Sequence, residues 1–409
     1  MGILLSTPKR DQDLEGADDG KYLVCGSAAM QGWRTGMEDA HALVLRLEGD
    51  DSLPPKAFFA VYDGHGGYEV ARYASRHVHV ILQESEKFKN GSIGEALTEA
   101  YIQTDDMMTT ADGMKELRAI HAAYNASAIP TRVSDVTSMM IGCTAVSVVV
   151  DMQNRVITCA NSGDSRCVVS EAGQAVPLSE DHKPQLESEE KRILAAGGRI
   201  ANGRVNGNLN LTRTLGDHEY KQNKELKPSE QIITCVPDIK AHQITDNTDF
   251  IILGCDGVWD VMGNEQAVNF VRVHLLPQEA LSDEERALDT ESNIERDPKF
   301  ADLKNSAEEK PWPGDVATSL EDLLQRTASQ LVDKCLAPET RCIIGCDNMS
   351  ACIILMRESS FGMRVIDALN ERLSHVPETP ASETESQLVE DSEKESTEQI
   401  QAKPDDVKE

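Results

Sequence analysis

The sequence predicts an α+β fold, built from antiparallel hairpins rather than regular strand–helix–strand alternation. Three observations carry this reading. Short apolar, β-prone runs recur along the chain, as in Phe58-Phe59-Ala60-Val61-Tyr62 and Thr144-Ala145-Val146-Ser147-Val148-Val149-Val150. Turn residues alone join some of them: Asp151-Met152-Gln153-Asn154 links the second run to a return strand, Arg155-Val156-Ile157-Thr158-Cys159. Stretches with helical spacing separate others.

Taken in order, residues 1–20 are polar and turn-rich and read as a flexible N-terminal segment. The strand at 58–62 is followed by a helix over 68–86, with apolar positions at Val70, Ala71, Ala74, Val78, Ile81 and Leu82. After the hairpin at 144–159, the turn Ser162-Gly163-Asp164-Ser165 leads into a strand at Cys167-Val168-Val169-Ser170. A helix is expected over 185–196, and buried strands at Phe250-Ile251-Ile252-Leu253 and Ala351-Cys352-Ile353-Ile354-Leu355. A main domain therefore spans 21–358. Within it, residues 276–309 are charged, with only isolated large apolar residues (Leu281, Leu288, Ile294), and read as a mobile insertion. A helical extension is expected at 359–376. The tail 377–409 is rich in Ser, Thr, Glu and Pro and reads as disordered and acidic.

Composition narrows the function. With 40 Lys+Arg against 70 Asp+Glu, the net charge is −30. Such a surface repels nucleic-acid phosphates, which argues against a nucleic-acid partner. It also repels phosphorylated substrates at long range, so a phosphate site would need local positive charge from metal ions or arginine. No apolar run is long enough to span a bilayer, and no signal-peptide core stands near the start. The ten cysteines are scattered, many inside apolar runs, which fits buried free thiols in a reducing compartment. Cys342 and Cys346 have no second Cys/His pair at zinc-finger spacing nearby.

One pattern recurs. Three apolar runs end in an aspartate followed by a small or polar residue: Asp63-Gly64, Asp256-Gly257 and Asp347-Asn348. A single Asp-Gly is ordinarily a turn, and Asp164 in Gly163-Asp164-Ser165 reads equally well as one. Three carboxylates at strand ends, converging at one sheet edge, would instead make an oxygen-rich site for a hard cation such as Mg²⁺ or Mn²⁺. Glu38 and Asp39 add two more acids before the apolar stretch 40–47.

At this point the residues carry a resemblance. The blocks Gln31-Gly32-Trp33-Arg34-Thr35-Gly36-Met37-Glu38-Asp39-Ala40-His41, Phe59-Ala60-Val61-Tyr62-Asp63-Gly64-His65-Gly66-Gly67 and Gly142-Cys143-Thr144-Ala145-Val146 come first. Ala160-Asn161-Ser162-Gly163-Asp164-Ser165-Arg166, Asp181-His182-Lys183-Pro184, Cys255-Asp256-Gly257-Val258-Trp259-Asp260 and Cys346-Asp347-Asn348-Met349-Ser350 follow. In this order, the set resembles the metal-dependent serine/threonine protein phosphatases of type 2C. The resemblance implies a sandwich of two antiparallel β-sheets flanked by α-helices (αββα), with 21–358 as the catalytic domain. It implies that Asp63 bridges two Mg²⁺ or Mn²⁺ ions, with the Gly64 carbonyl completing the first site and Asp256 and Asp347 holding the second. Glu38 and Asp39 would act mostly through metal-bound waters. Asp164 and Asp260 match positions that help hold a weaker third metal in some relatives. One departure stands in the segment 206–217: Leu209-Asn210-Leu211-Thr212-Arg213 replaces the usual Leu-Ala-Val-Ser-Arg, which bears on substrate preference under the flap at 173–207.

The expected reaction is hydrolysis of phosphoserine and phosphothreonine in phosphorylated proteins, by in-line attack of a water bridging two divalent metal ions. Arg34 is the candidate phosphate clamp, because guanidinium offers parallel donors to phosphate. His65 is the candidate general acid for the leaving alkoxide. Asp63, Asp256 and Asp347 argue against an inactive, purely binding relative. The absence of a P-loop argues against a nucleotide-driven motor or switch, although small phosphate esters stay open as substrates. Met1-Gly2-Ile3-Leu4-Leu5-Ser6 fits the N-myristoylation pattern. One acyl chain alone would give only weak membrane association. A monomer in the cytoplasm and also the nucleus is expected.

Overall fold

The computed structural model describes residues 4–47, 53–124, 138–286, 317–342 and 344–374. Gly2, residues 287–309 of the charged segment and the tail 377–409 lie outside the described residues. By contacts, Met1–Leu369 cluster as one unit and Asn370–Glu409 as another.

Two antiparallel sheets are stacked in the first unit. One has the strand order β1 (Leu4–Asp18), β2 (Leu23–Arg34), β16 (Met349–Met356), β15 (Thr248–Gly254), β9 (Arg166–Glu171), β10 (Gln174–Pro177). The other runs β14 (Asp238–Gln243), β8 (Val156–Ser162), β7 (Ala145–Asp151), β4 (Lys56–Tyr62), β3 (Ala40–Val44). A three-stranded ribbon, β13 (Leu215–Gly216), β6 (Gly142–Cys143) and β5 (Gly64–His65), lies beside the end of β4. The hairpin of β11 (Ile200–Ala201) and β12 (Arg204–Val205) belongs to the flap segment.

The central strands are apolar on both faces because each face is covered. In β4, Phe58, Ala60 and Tyr62 pack toward helices α1 (Glu69–Glu84), α3 (Ile93–Met107) and α4 (Ala111–Tyr124), the short α2 (Glu86–Lys89) lying between. The alternate residues Ala57, Phe59 and Val61 meet the other sheet. In β15, Phe250 and Ile252 face the helices on the far side, while Ile251 and Leu253 face inward. Those helices are α7 (Asn264–Leu275), α8 (Leu320–Cys335) and α9 (Ser360–Ser374), with α5 (Glu187–Ala195) and the one-turn α6 (Asp256–Trp259) in the connections. The α+β sandwich with flanking helices is thus the fold. All ten cysteines are free and buried.

Four local expectations change. Within the N-terminal segment read as flexible, Leu4–Asp18 instead form the edge strand β1, paired to β2 from Leu4↔Arg34 to Asp18↔Val24. Residues 344–346 are not a strand; Asp347 instead precedes β16, whose first residue is Met349. Because β16 runs antiparallel to β15, with Ala351 opposite Gly254, its start lies at the sheet end where β15 finishes. Asp347 therefore reaches the same edge as Asp256 by the opposite chain direction. The helix expected to reach 86 stops at Glu84, where Ser85 turns extended (ψ 133°) and accepts from Lys87 N to begin α2. In the charged insertion, Leu276, Leu281 and Glu285 are buried, with Glu285 held by Arg272 and Arg364.

Candidate active site

The acids meet where β4 and β15 end and where β3 and β16 begin. Asp63 follows Tyr62 directly, held by its backbone: its N–H donates to Thr144 Oγ1 at 3.2 Å and its carbonyl accepts from Thr144 N at 2.9 Å. Asp256 opens α6 two residues after β15, and Asp164 sits in the turn between β8 and β9. Ligand oxygens of Asp63, Asp164 and Asp256 lie within 4.8 Å of one another. Asp39, just before β3, groups in the same way with Asp63 and Cys255.

These carboxylates repel one another and are short of water. Loss of hydration, then repulsion from Asp256, Asp39, Asp164 and Asp347, raises Asp63 well above the usual carboxylate range. Asp256 is raised well above it by the same desolvation, then by Asp164, Asp347 and Asp260. Burial lifts Asp39 to about 6, although Ser350 Oγ donates to its Oδ2 at 2.7 Å. Glu38 is also raised, chiefly by burial. Two of the acids have a cation of the chain itself: Arg34 pairs with Asp347, and Lys183 with Asp164. Among the described residues, Asp63 and Asp256 make no such ion pair.

The donor set fits a hard divalent cation. It is dominated by carboxylate oxygens, two of the carboxyls raised by burial and mutual repulsion, and Asp39 keeps a buried Oδ1 without a hydrogen-bond partner. The one sulfur, Cys255, is pushed well up by burial and stays a thiol, with Ser350 N donating to it at 3.1 Å.

Arg34, Glu38, Asp63, Gly64, His65, Asp164, Asp256 and Asp347 line one cleft of about 330 Å³, with Leu209, Asn210 and Leu211, just after the flap segment, on its wall. Asp39 lies beneath the cleft, 2% exposed, and Asp260 stands outside its lining, at the exposed end of α6. Gly64 is required by close approach: a Cβ there would collide with the Glu38 carbonyl oxygen. Asn348 ties the end of β2 and its connection to β3 to the start of β16. Its amide donates to the Gln31 and Gly36 carbonyls at 2.9 Å, and its Oδ1 accepts from Glu38 N at 2.9 Å. His182, fully buried, holds the Asp164 turn: its Nδ1 accepts from Gly163 N at 3.1 Å while Nε2 faces Asp238 at 3.2 Å.

Sequence reasoning passed over Asp217, whose Oδ2 lies 2.7 Å from His65 Nε2. Burial lowers His65, but Asp217, then Asp164 and Glu38, raise it above its ordinary value overall. Nothing in the local string Leu215-Gly216-Asp217 distinguishes this aspartate from a turn residue; the pairing arises from the ribbon of β13, β6 and β5.

Comparison with known proteins gives the family. The family model described as Protein phosphatase 2C matches residues 23–291. Probable protein phosphatase 2C 11 of Oryza sativa subsp. japonica is 36% identical over 382 residues, covering 88% of this chain and 91% of the relative. Protein phosphatase 2C homolog 2 of Schizosaccharomyces pombe is 35% identical over 356 residues, covering 87% and 78%. A crystal structure of a phosphatase from a pathogenic strain of Toxoplasma gondii has the same fold, with a TM-score of 0.57 at 18% identity, covering 85% of this chain and 96% of that one. The chain belongs to the protein phosphatase 2C family of serine/threonine protein phosphatases.

Proposed function

We propose that this phosphatase hydrolyses phosphoserine and phosphothreonine with two divalent metal ions, Mg²⁺ or Mn²⁺, held by Asp63, Gly64, Asp256 and Asp347, with Glu38 and Asp39 behind them. The observation that carries the reading is the convergence of Asp63, Asp164 and Asp256 within 4.8 Å in the cleft that also holds Arg34 and His65. When bound, such a pair of ions supplies an activated water and neutralises phosphate charge. Asp63 takes part in both acid groups and so is the natural shared ligand.

The chain's own residues do the rest. Arg34, 42% exposed on its side chain, is raised above its ordinary value: burial works against this, but Asp347, Asp256 and Asp63 outweigh it. It stays charged and presents guanidinium donors to the phosphate. His65 holds the proton that the departing serine or threonine oxygen takes. Asp164 and Asp260 are the candidate ligands of a weaker third ion, with Lys183 as the competing cation at Asp164.

The test is turnover of matched phosphoserine, phosphothreonine and phosphotyrosine peptides with Mg²⁺ or Mn²⁺. Hydrolysis of the first two, lost in excess chelator and restored by metal, is the expected outcome. Full activity in chelator, or selectivity for phosphotyrosine, would overturn it.

A further inference from the structure

The ribbon that carries His65 also carries the means of aiming it. His65 in β5 lies opposite Gly142 in β6, and Gly142 lies opposite Gly216 in β13. Asp217 follows Gly216, so His65 and Asp217 stand on either side of the middle strand. They meet across Gly142 only because it has no side chain; a Cβ there would collide with Asp217 Oδ2 and crowd His65 Nε2.

Asp217 is over-determined for one orientation. Its backbone is left-handed (φ 48°), a conformation aspartate tolerates better than most residues. Its N–H donates to the Ile141 carbonyl at 3.0 Å, and Thr214 Oγ1 donates to its Oδ2 at 2.8 Å. Asp105 of α3 anchors the loop from behind: it accepts from Gly216 N at 2.7 Å and from Lys221 Nζ at 2.8 Å, and Lys221 also donates to the Thr214 carbonyl at 2.8 Å. Asp217 is 3% exposed, and though burial opposes it, His65 and the hydrogen bonds keep its carboxyl below the ordinary value, hence ionised.

An ionised carboxylate only accepts, so His65 Nε2 must be the N–H donor in this pair. Nδ1 is left as the ring atom available to the cleft that His65 lines, and among the described residues it has no protein hydrogen-bond partner. We propose that Asp217 is the positioning residue for His65: it sets the ring orientation so that Nδ1–H faces the leaving oxygen. This rests on the phosphoserine/phosphothreonine phosphatase reading. In the step, a water oxygen bonds to phosphorus as the ester P–O bond breaks. The departing oxygen takes the Nδ1 proton, leaving a neutral ring with Nε2–H still on Asp217. The proton shed by the attacking water restores the ring through solvent.

The discriminating measurement is dependence on the leaving group. An alkoxide needs a proton as it leaves; p-nitrophenolate, a far weaker base, needs it much less. Asp217→Asn keeps the shape and tolerates the left-handed backbone, but it offers His65 no charge to hold its N–H. It should lower kcat for a phosphothreonine peptide by roughly 10- to 100-fold. KM should stay within about twofold, and the ratio of p-nitrophenyl phosphate to peptide turnover should rise at least several-fold. In a His65→Ala background the same substitution should add almost nothing, because its effect passes through the ring. Thr214→Val, nearly isosteric, should shift the ratio in the same direction by less, and carries the test should Asp217→Asn fold poorly. Equal loss on both esters, or additive loss with His65→Ala, would overturn the positioning role. If the unsubstituted chain turns over neither ester, the phosphatase reading falls, and this proposal with it.

Discussion

Asp63 is held in place by its main chain, and among the described residues its carboxylate makes no ion pair that its loss would break. Asp63→Ala should lower kcat/KM by about 10³-fold or more, as for loss of a principal electrostatic group in a catalytic site. The same variant should bind Mn²⁺ more weakly by calorimetry. Its metal-free melting temperature should not fall, because the substitution removes repulsion from Asp256, Asp39 and Asp164. Activity within tenfold of the unsubstituted chain at limiting metal would refute the shared-ligand assignment. The residues around Asp63 differ in how legible they were. Glu38, Asp256 and Asp347 stand in recognisable strings. Arg34, Lys183 and Ser350, the partners of Asp347, Asp164 and Asp39, stand elsewhere in the chain, and no local string announces which acid each one meets.

At the scale of elements, β1 is where sequence pattern and structure part. Its string carries Pro8 and charges of both signs, which weaken strand propensity and read as a loop. Those are the features that protect an edge strand from pairing with other chains, and the register with β2 is irregular between Leu4 and Gln12, around Pro8. Its order comes from the neighbour: β2 is buried from Leu23 to Met30 and cannot be left as a bare edge. Arg357 clamps Asp18 at 2.6 Å, and Gln12 Nε2 donates to the Ser329 carbonyl of α8 at 3.4 Å. Removing residues 1–18 should therefore lower the melting temperature by about 5 °C or more. A shift below about a degree would restore the flexible reading.

Across the whole molecule, two sets of carboxylates pull stability in opposite pH directions. Asp105, Glu189 and Glu285 have their carboxyls lowered to about 2: burial works against this, but hydrogen bonds and charge from Lys221 and His218, from Arg213 and Arg192, and from Arg364 and Arg272 outweigh it. Their contribution is present above the ordinary carboxylate range and lost as pH falls toward 2. The metal-site acids are raised, Asp39 to about 6 and Asp63 and Asp256 well above the usual range, so ionising them disfavours the fold. His65, also raised, contributes stability below its unfolded value that is lost as pH rises through its folded one. Metal-free protein should therefore melt higher near pH 5 than near pH 7.5, then lose stability steeply below about pH 4. Adding Mn²⁺ at about pH 7.5 should raise the melting temperature and remove the upper limb of this profile. A metal-free melting temperature that climbs steadily from pH 5 to 7.5 would contradict the reading.

The sequence by itself determined the α+β class, because strands apolar on both faces and hairpin turns are local patterns. It also determined the acidic site, because Asp63, Asp256 and Asp347 lie in distinctive strings. Tertiary structure alone decided what depends on distant pairing. The antiparallel register of β15 and β16 brings Asp347 to the edge where Asp256 sits, although one follows its strand and the other precedes it. The ribbon β13-β6-β5 places Asp217 against His65 across a glycine, 152 positions apart in the chain. Such contacts follow from sheet order and register, which are set by the packing of the whole core and leave no mark on the residues nearby.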